Sequence, residues 1–303
     1  MTTLAHPGLG SRNTEAARVK RRNKRLVAAL SAVLIAIAVL ATLIPIYFVV
    51  VAAFNPTGSL TASTALPRAF TLDNFIQLFV DPTIQFGRWF VNSMYISVTV
   101  TVVVTFVVAM SAYAFSRLRF KGRENILMTI VLLQVFPNIL AIVAIFLLVN
   151  QLGTITPLLG LNSHLTLILV YVGGAIGGNV WLLKAYMDSI PKELDESATI
   201  DGASHWVIFS GILFPLVRPM LAVVAVLTFT GAYSEILIMQ VLVRDSEAFT
   251  LPLGLYTMSV QQYTIDWGLF AAGAIVAALP PLILFYVSQK WLIAGLTQGA
   301  VKS

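Results

Sequence analysis

The chain has 303 residues, of which 58% are hydrophobic and 11% charged, with a formal net charge of +6. Soluble domains carry roughly 25% charged residues, so this composition and a mean hydropathy of +0.88 exclude an ordinary soluble protein and define an integral membrane protein. The lack of cysteine excludes disulfides, thiolate metal sites and cysteine nucleophiles, and leaves the redox compartment undetermined.

Residues 1–25 are polar and basic, with Arg12, Arg18, Lys20, Arg21, Arg22, Lys24 and Arg25. Signal peptides open on such a flank, but their apolar region is about 7–15 residues long. The run from Leu26 to Phe54 is much longer and has no clear small-residue cleavage site. It reads as a retained first span, because about 20 apolar residues cross a bilayer core. Five more apolar runs follow. Span 2 covers Trp89 to Phe115, span 3 Ile126 to Val149 and span 4 Leu165 to Leu183. Span 5 covers Phe214 to Val241 and span 6 Trp267 to Val287. Each is too long for an ordinary strand, and a helix in lipid satisfies its own backbone groups. The expected fold is an all-α integral membrane protein with six transmembrane helices.

Lys and Arg set the orientation. Sixteen of the 19 fall on one side: the N-terminal tail, the span 2–3 loop (Arg117, Arg119, Lys121, Arg123), the span 4–5 loop (Lys184, Lys192, Arg218), Lys290 and Lys302. Only Arg68, Arg88 and Arg244 lie on the other. Both termini are therefore expected in the cytoplasm. The positive charge serves topology and anionic membrane lipid rather than nucleic acid. The three His (His6, His164, His205) lie far apart in sequence, which argues against a His metal site. Of the outer segments, 55–88 carries Pro56, Gly58, Pro67 and Pro82 and reads as an irregular external loop. The second, Asn150 to His164, holds Gly153, Pro157 and Gly160, and the third, Leu242 to Asp266, is rich in Gln, Tyr and Thr. Three segments result: a basic tail over 1–25, a six-span membrane domain over 26–294 and a C-terminal tail over 295–303.

The cytoplasmic loop over 188–214 is unusual for a connector. Ser189 and Pro191 suit a helix start. Glu193, Asp195 and Glu196 then lie near its positive N-terminal end, which favours carboxylates. Leu194, Ala198 and Ala203 are positions that a partner could bury. Gly202 after Asp201 permits a left-handed backbone and ends the helix. A second run, Ser204 to Phe214, places Val207, Ile208, Ile212 and Leu213 at helical intervals before Pro215. These features alone fit a rigid docking elbow and an amphipathic connector on the membrane surface equally.

Within the spans, Glu235 is expected to face protein or water, since a carboxylate at the bilayer centre costs roughly 2.5–3.5 kcal/mol. It is a candidate for the pathway or its gate, or an interfacial residue. Asn92, Gln134 and Asn138 are further pathway candidates, or interhelical hydrogen bonds. Gly173, Gly174, Gly177 and Gly178 form two overlapping GxxxG pairs that suit close helix packing. Pro137, Pro280 and Pro281 are expected to kink spans 3 and 6.

Glu196, Ala198, Asp201, Gly202, Ala203, Phe209, Ile212 and Pro215 match the EAA loop of ABC importer permeases. There E-A-A is followed by three residues, a Gly, and an I-x-L-P-like end nine residues on. Ser197 and Phe214 depart from that pattern, which leaves its packing details open. Ala112-Tyr-Ala-Phe-Ser-Arg-Leu-Arg-Phe120, Gln134-Val-Phe-Pro-Asn138 and the C-terminal Gln289 to Ser303 resemble sugar-importer permeases. From about residue 26 to 303 the chain resembles the MalG-type permease subunits of maltose/maltodextrin ABC importers.

The resemblance implies a bacterial or archaeal plasma-membrane subunit that forms half of a sugar pathway with a second, MalF-type permease. An extracytoplasmic sugar-binding protein delivers the cargo, and a separate ATPase dimer binds ATP and Mg2+. The coupling residues it implies are Glu193, Glu196, Ser197, Ala198, Asp201, Gly202, Ala203, Phe209 and Pro215. Gln298, Gly299 and Lys302 would touch the ATPase from the C-terminal tail. Tyr256, Gln261, Gln262 and Tyr263 would belong to a loop that meets the binding protein. The chain has no GxxxxGK[ST] phosphate loop, so no cofactor and no enzymatic activity of its own are expected. The alternatives are a permease for another solute such as glycerol phosphate, or a stand-alone secondary transporter. The latter calls for ion-coupling charges within the membrane, of which Glu235 is the sole candidate. A membrane enzyme would need clustered acid, base or metal ligands that the sequence does not offer.

Overall fold

The computed structural model describes residues 9–56, 70–135, 138–260 and 266–300, and among them every regular element is helical. Five helices are long and apolar enough to cross a bilayer: Leu26–Ala53, Phe86–Arg117, His164–Asp188, His205–Tyr233 and Trp267–Leu292. They correspond to spans 1, 2, 4, 5 and 6. The first belongs to a helix that already begins at Leu9, and the last to one that continues to Ala300. Span 3 is not one straight helix. It consists of Arg123–Val135 and Asn138–Ile155, at 101° to each other, and makes a sixth crossing when the bent pair is counted as one. Pro137, the expected source of the kink, lies outside the described residues.

Span 2 is the centre of the bundle. Ile96, Val100, Val104, Val108 and Ala112 recur every fourth residue and are fully buried. That spacing places them on one face of a helix, and the face packs against spans 4 and 5. Span 1 behaves differently. None of its most apolar stretch is buried, and it meets the bundle through span 6 near Val51, Ala52 and Ala53.

The structure corrects three expectations. Span 5 stops at Tyr233 rather than Val241, and a separate short helix, Leu237–Leu242, follows. The external segment 55–88 is not wholly irregular, since Asp73–Val80 is helical. The buried Asn74 of that helix donates to the carbonyls of Ala53 (2.9 Å) and Asn55 (3.1 Å), closing the end of span 1. The third outer loop is also built, with a helix over Leu251–Val260 that buries Leu251, Leu253 and Leu255. Trp89 of span 2 lies against Gly254 of this helix and donates its indole N–H to Ser246 O at 2.8 Å.

That contact is tight enough to test. A Cβ on Gly254 would come within 2.1 Å of the Trp89 ring, whereas one on Gly174 would meet nothing within 4 Å. Gly254→Ala should destabilise the detergent-solubilised protein by about 1–3 kcal/mol, as overpacking does. Gly174→Ala, in a helix interior with room for the methyl group, should hold or raise the thermal midpoint.

Candidate functional site

The span 4–5 connection folds into a helical elbow. Span 4 ends at Asp188, and Ser189 closes it: its amide reaches Tyr186 O at 3.1 Å and its hydroxyl donates to the same carbonyl at 2.7 Å. Ser189 therefore does not cap the next helix as expected. That helix, Glu193–Ile200, starts from Lys192 with no side-chain cap, and Glu193, Asp195 and Glu196 occupy its first turn. At its other end Ala203 N donates to Ala198 O (2.9 Å) and Gly202 N to Thr199 O (3.0 Å). These two bonds form a Schellman motif, which needs a left-handed residue between them. Gly202 supplies it with φ of 83°. The Ala and Gly positions of the motif thus have a local cause: Ala198 and Ala203 close the turn and pack together on the main core.

The next helix begins at once. The Ser204 hydroxyl accepts from Val207 N at 3.4 Å and starts the run into span 5. Residues Ile208–Leu213 form a π-helical turn before the α-helix resumes at Phe214. Pro215 has no amide to give Gly211, and its ring crowds that carbonyl. The wider turn lies directly before it. Phe209 is buried there, with its ring centroid 5.2 Å from that of Tyr113 and 5.7 Å from that of Trp206.

The elbow is held from one place, the last turns of span 2. Arg117 pairs with Asp195 of the elbow helix, and their side chains are only 6% and 15% exposed. The guanidinium also donates to Ile190 O at 3.0 Å. Next to it, the Ser116 hydroxyl donates to Asp188 at 2.6 Å, and Lys184 holds the other oxygen of that carboxylate at 2.5 Å. Tyr113, one turn back, donates to His205 O at 3.2 Å. Four consecutive parts of the elbow are thus tied to a single helical turn and a half. Sequence reading counted Arg117 only as a topological charge, and Asp195 only as an N-terminal carboxylate.

The outward surface of the elbow is apolar and polar together. Ile200 is 86% exposed, and Leu194, Trp206 and Val207 are exposed as well. Glu193, Glu196, Ser197 and Asp201 also face out. Ala198 and Ala203, named as positions for a partner to bury, are instead half-buried on the chain's own core.

A second polar group lies at membrane depth. The break between Tyr233 and Leu237 places Glu235 at the start of the short outer helix, where its carboxylate accepts from Ile238 N (2.9 Å) and Met239 N (3.3 Å). The Tyr171 hydroxyl of span 4 donates to it at 2.9 Å. Glu235, Tyr171, Asn179, Thr228, Gly174 and Gly231 line a cavity of about 370 Å3. Asn179 donates to Thr228 at 3.3 Å across it. Tyr171 and Asn179 were not singled out from sequence, although a polar residue inside an apolar span is the signal that would have found them.

The remaining candidates do not converge. Asn92 is at the outer end of span 2, where its amide donates to Glu247 O and Phe249 O, both at 2.9 Å. It fastens the third outer loop and does not line the cavity. Gln134 lies over the glycines of span 4, where a Cβ on Gly177 or Gly178 would be 3.1 Å from its amide. The close packing expected of four glycines is therefore found at Gly177 and Gly178 only, since Gly173 and Gly174 border open space. Asn138 begins the outer half of span 3, but its side chain is outside the described residues. Tyr256 is exposed on the Leu251–Val260 helix. Gln261, Gln262, Tyr263 and Lys302 lie outside the described residues, as does the side chain of Gln298, and Gly299 is placed only as helix backbone.

A helical bundle of five or six candidate membrane crossings, with an exposed helical elbow before the last but one, defines a multi-pass membrane protein. The chain belongs to the family described as the binding-protein-dependent transport system inner membrane component, whose model matches residues 106–298. Its relatives include the galactooligosaccharides transport system permease protein GanQ of Bacillus subtilis, 42% identical over 85% of this chain and 89% of that one. The maltose/maltodextrin transport system permease protein MalG of Vibrio vulnificus is 40% identical over 78% of this chain and 79% of its own length. The maltodextrin transport system permease protein MdxG of Bacillus subtilis is 36% identical over 85% and 90%. Among solved structures, a bacterial ABC transporter involved in the import of the acidic polysaccharide alginate shares the fold. Its TM-score is 0.77 at 22% identity, covering 89% of this chain and 98% of that chain.

The turn at Gly202 allows a local test. No atom lies within 4 Å of a Cβ placed there, so Gly202→Ala introduces backbone strain alone, about 1–2 kcal/mol. Amide hydrogen exchange over residues 201–203 should speed up by about tenfold, while exchange in span 2 stays unchanged.

Proposed function

We propose that this chain is the permease subunit of an ATP-driven importer of oligosaccharides, with a maltodextrin or a related short sugar as cargo. It forms half of the translocation pathway and receives force through the elbow from a separate ATPase dimer that holds ATP and Mg2+. A MalF-type second permease completes the pathway, and an extracytoplasmic sugar-binding protein supplies the cargo. The site is the plasma membrane of a bacterium or archaeon, with the elbow and both termini in the cytoplasm.

The elbow geometry carries this reading. An eight-residue helix stands off the bundle with Ile200 almost fully exposed, and its inner side is fixed to span 2. A connector needs no such anchoring, whereas a lever does: ATP binding that favours one ATPase conformation can shift the permease between states only through a rigid contact. The sugar class is supported by the names of the relatives, which include a galactooligosaccharide and a maltodextrin permease. The cavity lined by Glu235, Tyr171, Asn179 and Thr228 offers amide and hydroxyl groups that suit a sugar, beside a carboxylate that is already held. The stand-alone secondary transporter is disfavoured by the same site, because Glu235 is already committed to two backbone amides and a tyrosine.

The test is reconstitution in liposomes with the second permease, the ATPase and the binding protein. Uptake of a maltodextrin or galactooligosaccharide should require ATP, and loaded binding protein should stimulate hydrolysis. Replacing the exposed apolar side chain in Ile200→Asp should weaken ATPase binding by about tenfold or more. Uptake by the chain alone without ATP would restore the secondary-transporter reading.

A further inference from the structure

The elbow helix has little of its own to hold it. Helices shorter than about 12–15 residues are marginal in water, and this one has eight residues. Six of those eight residues are exposed, and only Asp195 and Ala198 are half-buried. Ala198 contributes a methyl group against the core, which resists separation but leaves the helix free to swivel. Among the described residues, the Arg117–Asp195 pair is the one charged contact that ties this helix to span 2. Its two side chains are the most buried ion pair among the described residues, and Arg117 is held in turn by the Ile190 carbonyl. Span 2, which carries Arg117, packs against spans 4 and 5 along a stripe of five fully buried residues.

We infer that Arg117 and Asp195 are positioning residues that form the joint between the elbow helix and span 2, so that the two move as one body through the transport cycle. The inference rests on the importer reading above and adds a route to it. Force applied at Ile200 enters the bundle at the cytoplasmic end of span 2 rather than only along the chain into span 5. From there the stripe Ile96 to Ala112 carries it towards the outer loops that Trp89 and Asn92 fasten. A pair this dry keeps its geometry because each charge would be left buried and unpaired without the other.

The chain has no cysteine, which makes a covalent test clean. In the reconstituted complex, Asp195→Asn should leave ATPase co-purification unchanged, because the Ile200 surface is untouched. Sugar uptake per ATP hydrolysed should fall by about tenfold. The reversed pair Arg117→Asp with Asp195→Arg should regain part of that loss. The pair Arg117→Cys with Asp195→Cys should be equally uncoupled until a short bis-methanethiosulfonate reagent bridges it, and reductant should remove the recovery. Arg117→Lys replaces Asp195→Asn if the latter fails to accumulate, and the same fall is expected because lysine lacks the second bond to Ile190. Uptake per ATP that stays normal in these variants would overturn the joint, and so would a bridge that blocks transport instead of restoring it. Absence of ATP-driven uptake by the unaltered chain would overturn the importer reading itself, which is a separate outcome.

Discussion

The direction of the elbow helix depends on the buried ion pair between Arg117 and Asp195. An eight-residue helix that shows most of its surface to water cannot fix its own direction. One buried guanidinium does so, and the same arginine also holds the connector before the helix through Ile190. Ser116 and Tyr113 add the end of span 4 and the start of span 5. The last turns of span 2 therefore work as a hub, and the motif residues of the elbow are free to satisfy purely local demands. Ala198, Gly202 and Ala203 close a Schellman turn, and Phe209 fills the aromatic niche beside Tyr113.

A different constraint governs the outer half. Inside a bilayer, each unpaired polar group is costly, so a break in a helix must be repaired by nearby groups. The break after Tyr233 is repaired by Glu235, which accepts the first amides of the short helix beyond it. Tyr171 then ties that repair to span 4. The carboxylate is thus structural first, and its membership of the cavity wall follows from where the break places it. Glycines at 174 and 231 leave the space beside it open.

Hydropathy made the helical class and the five long crossings legible, and the pattern of residues 188–215 made the elbow so. The features that escaped are those where a property visible in sequence has more than one structural use. The apolar run through span 5 continues past residue 236, so the three-residue break with its carboxylate looked like one polar residue in a long helix. Ser189 has the right chemistry for either helix end, and the geometry assigned it to the end of span 4. Ala198 and Ala203 could face a partner or their own core, and a periodicity over so few residues does not choose. Arg117 served the charge asymmetry so well that its buried partner went unnoticed. Only the fold brings residue 117 beside residue 195.

The central claim is that the elbow is a cytoplasmic seat for an ATPase, and a single cysteine tests it most directly. Ile200→Cys would place the only thiol of the chain on the most exposed large apolar position of the elbow. A membrane-impermeant maleimide should label it in inside-out vesicles and not in right-side-out ones, and co-expressed ATPase should protect it. Labelling from the outside, or equal labelling with and without the ATPase, would contradict the account.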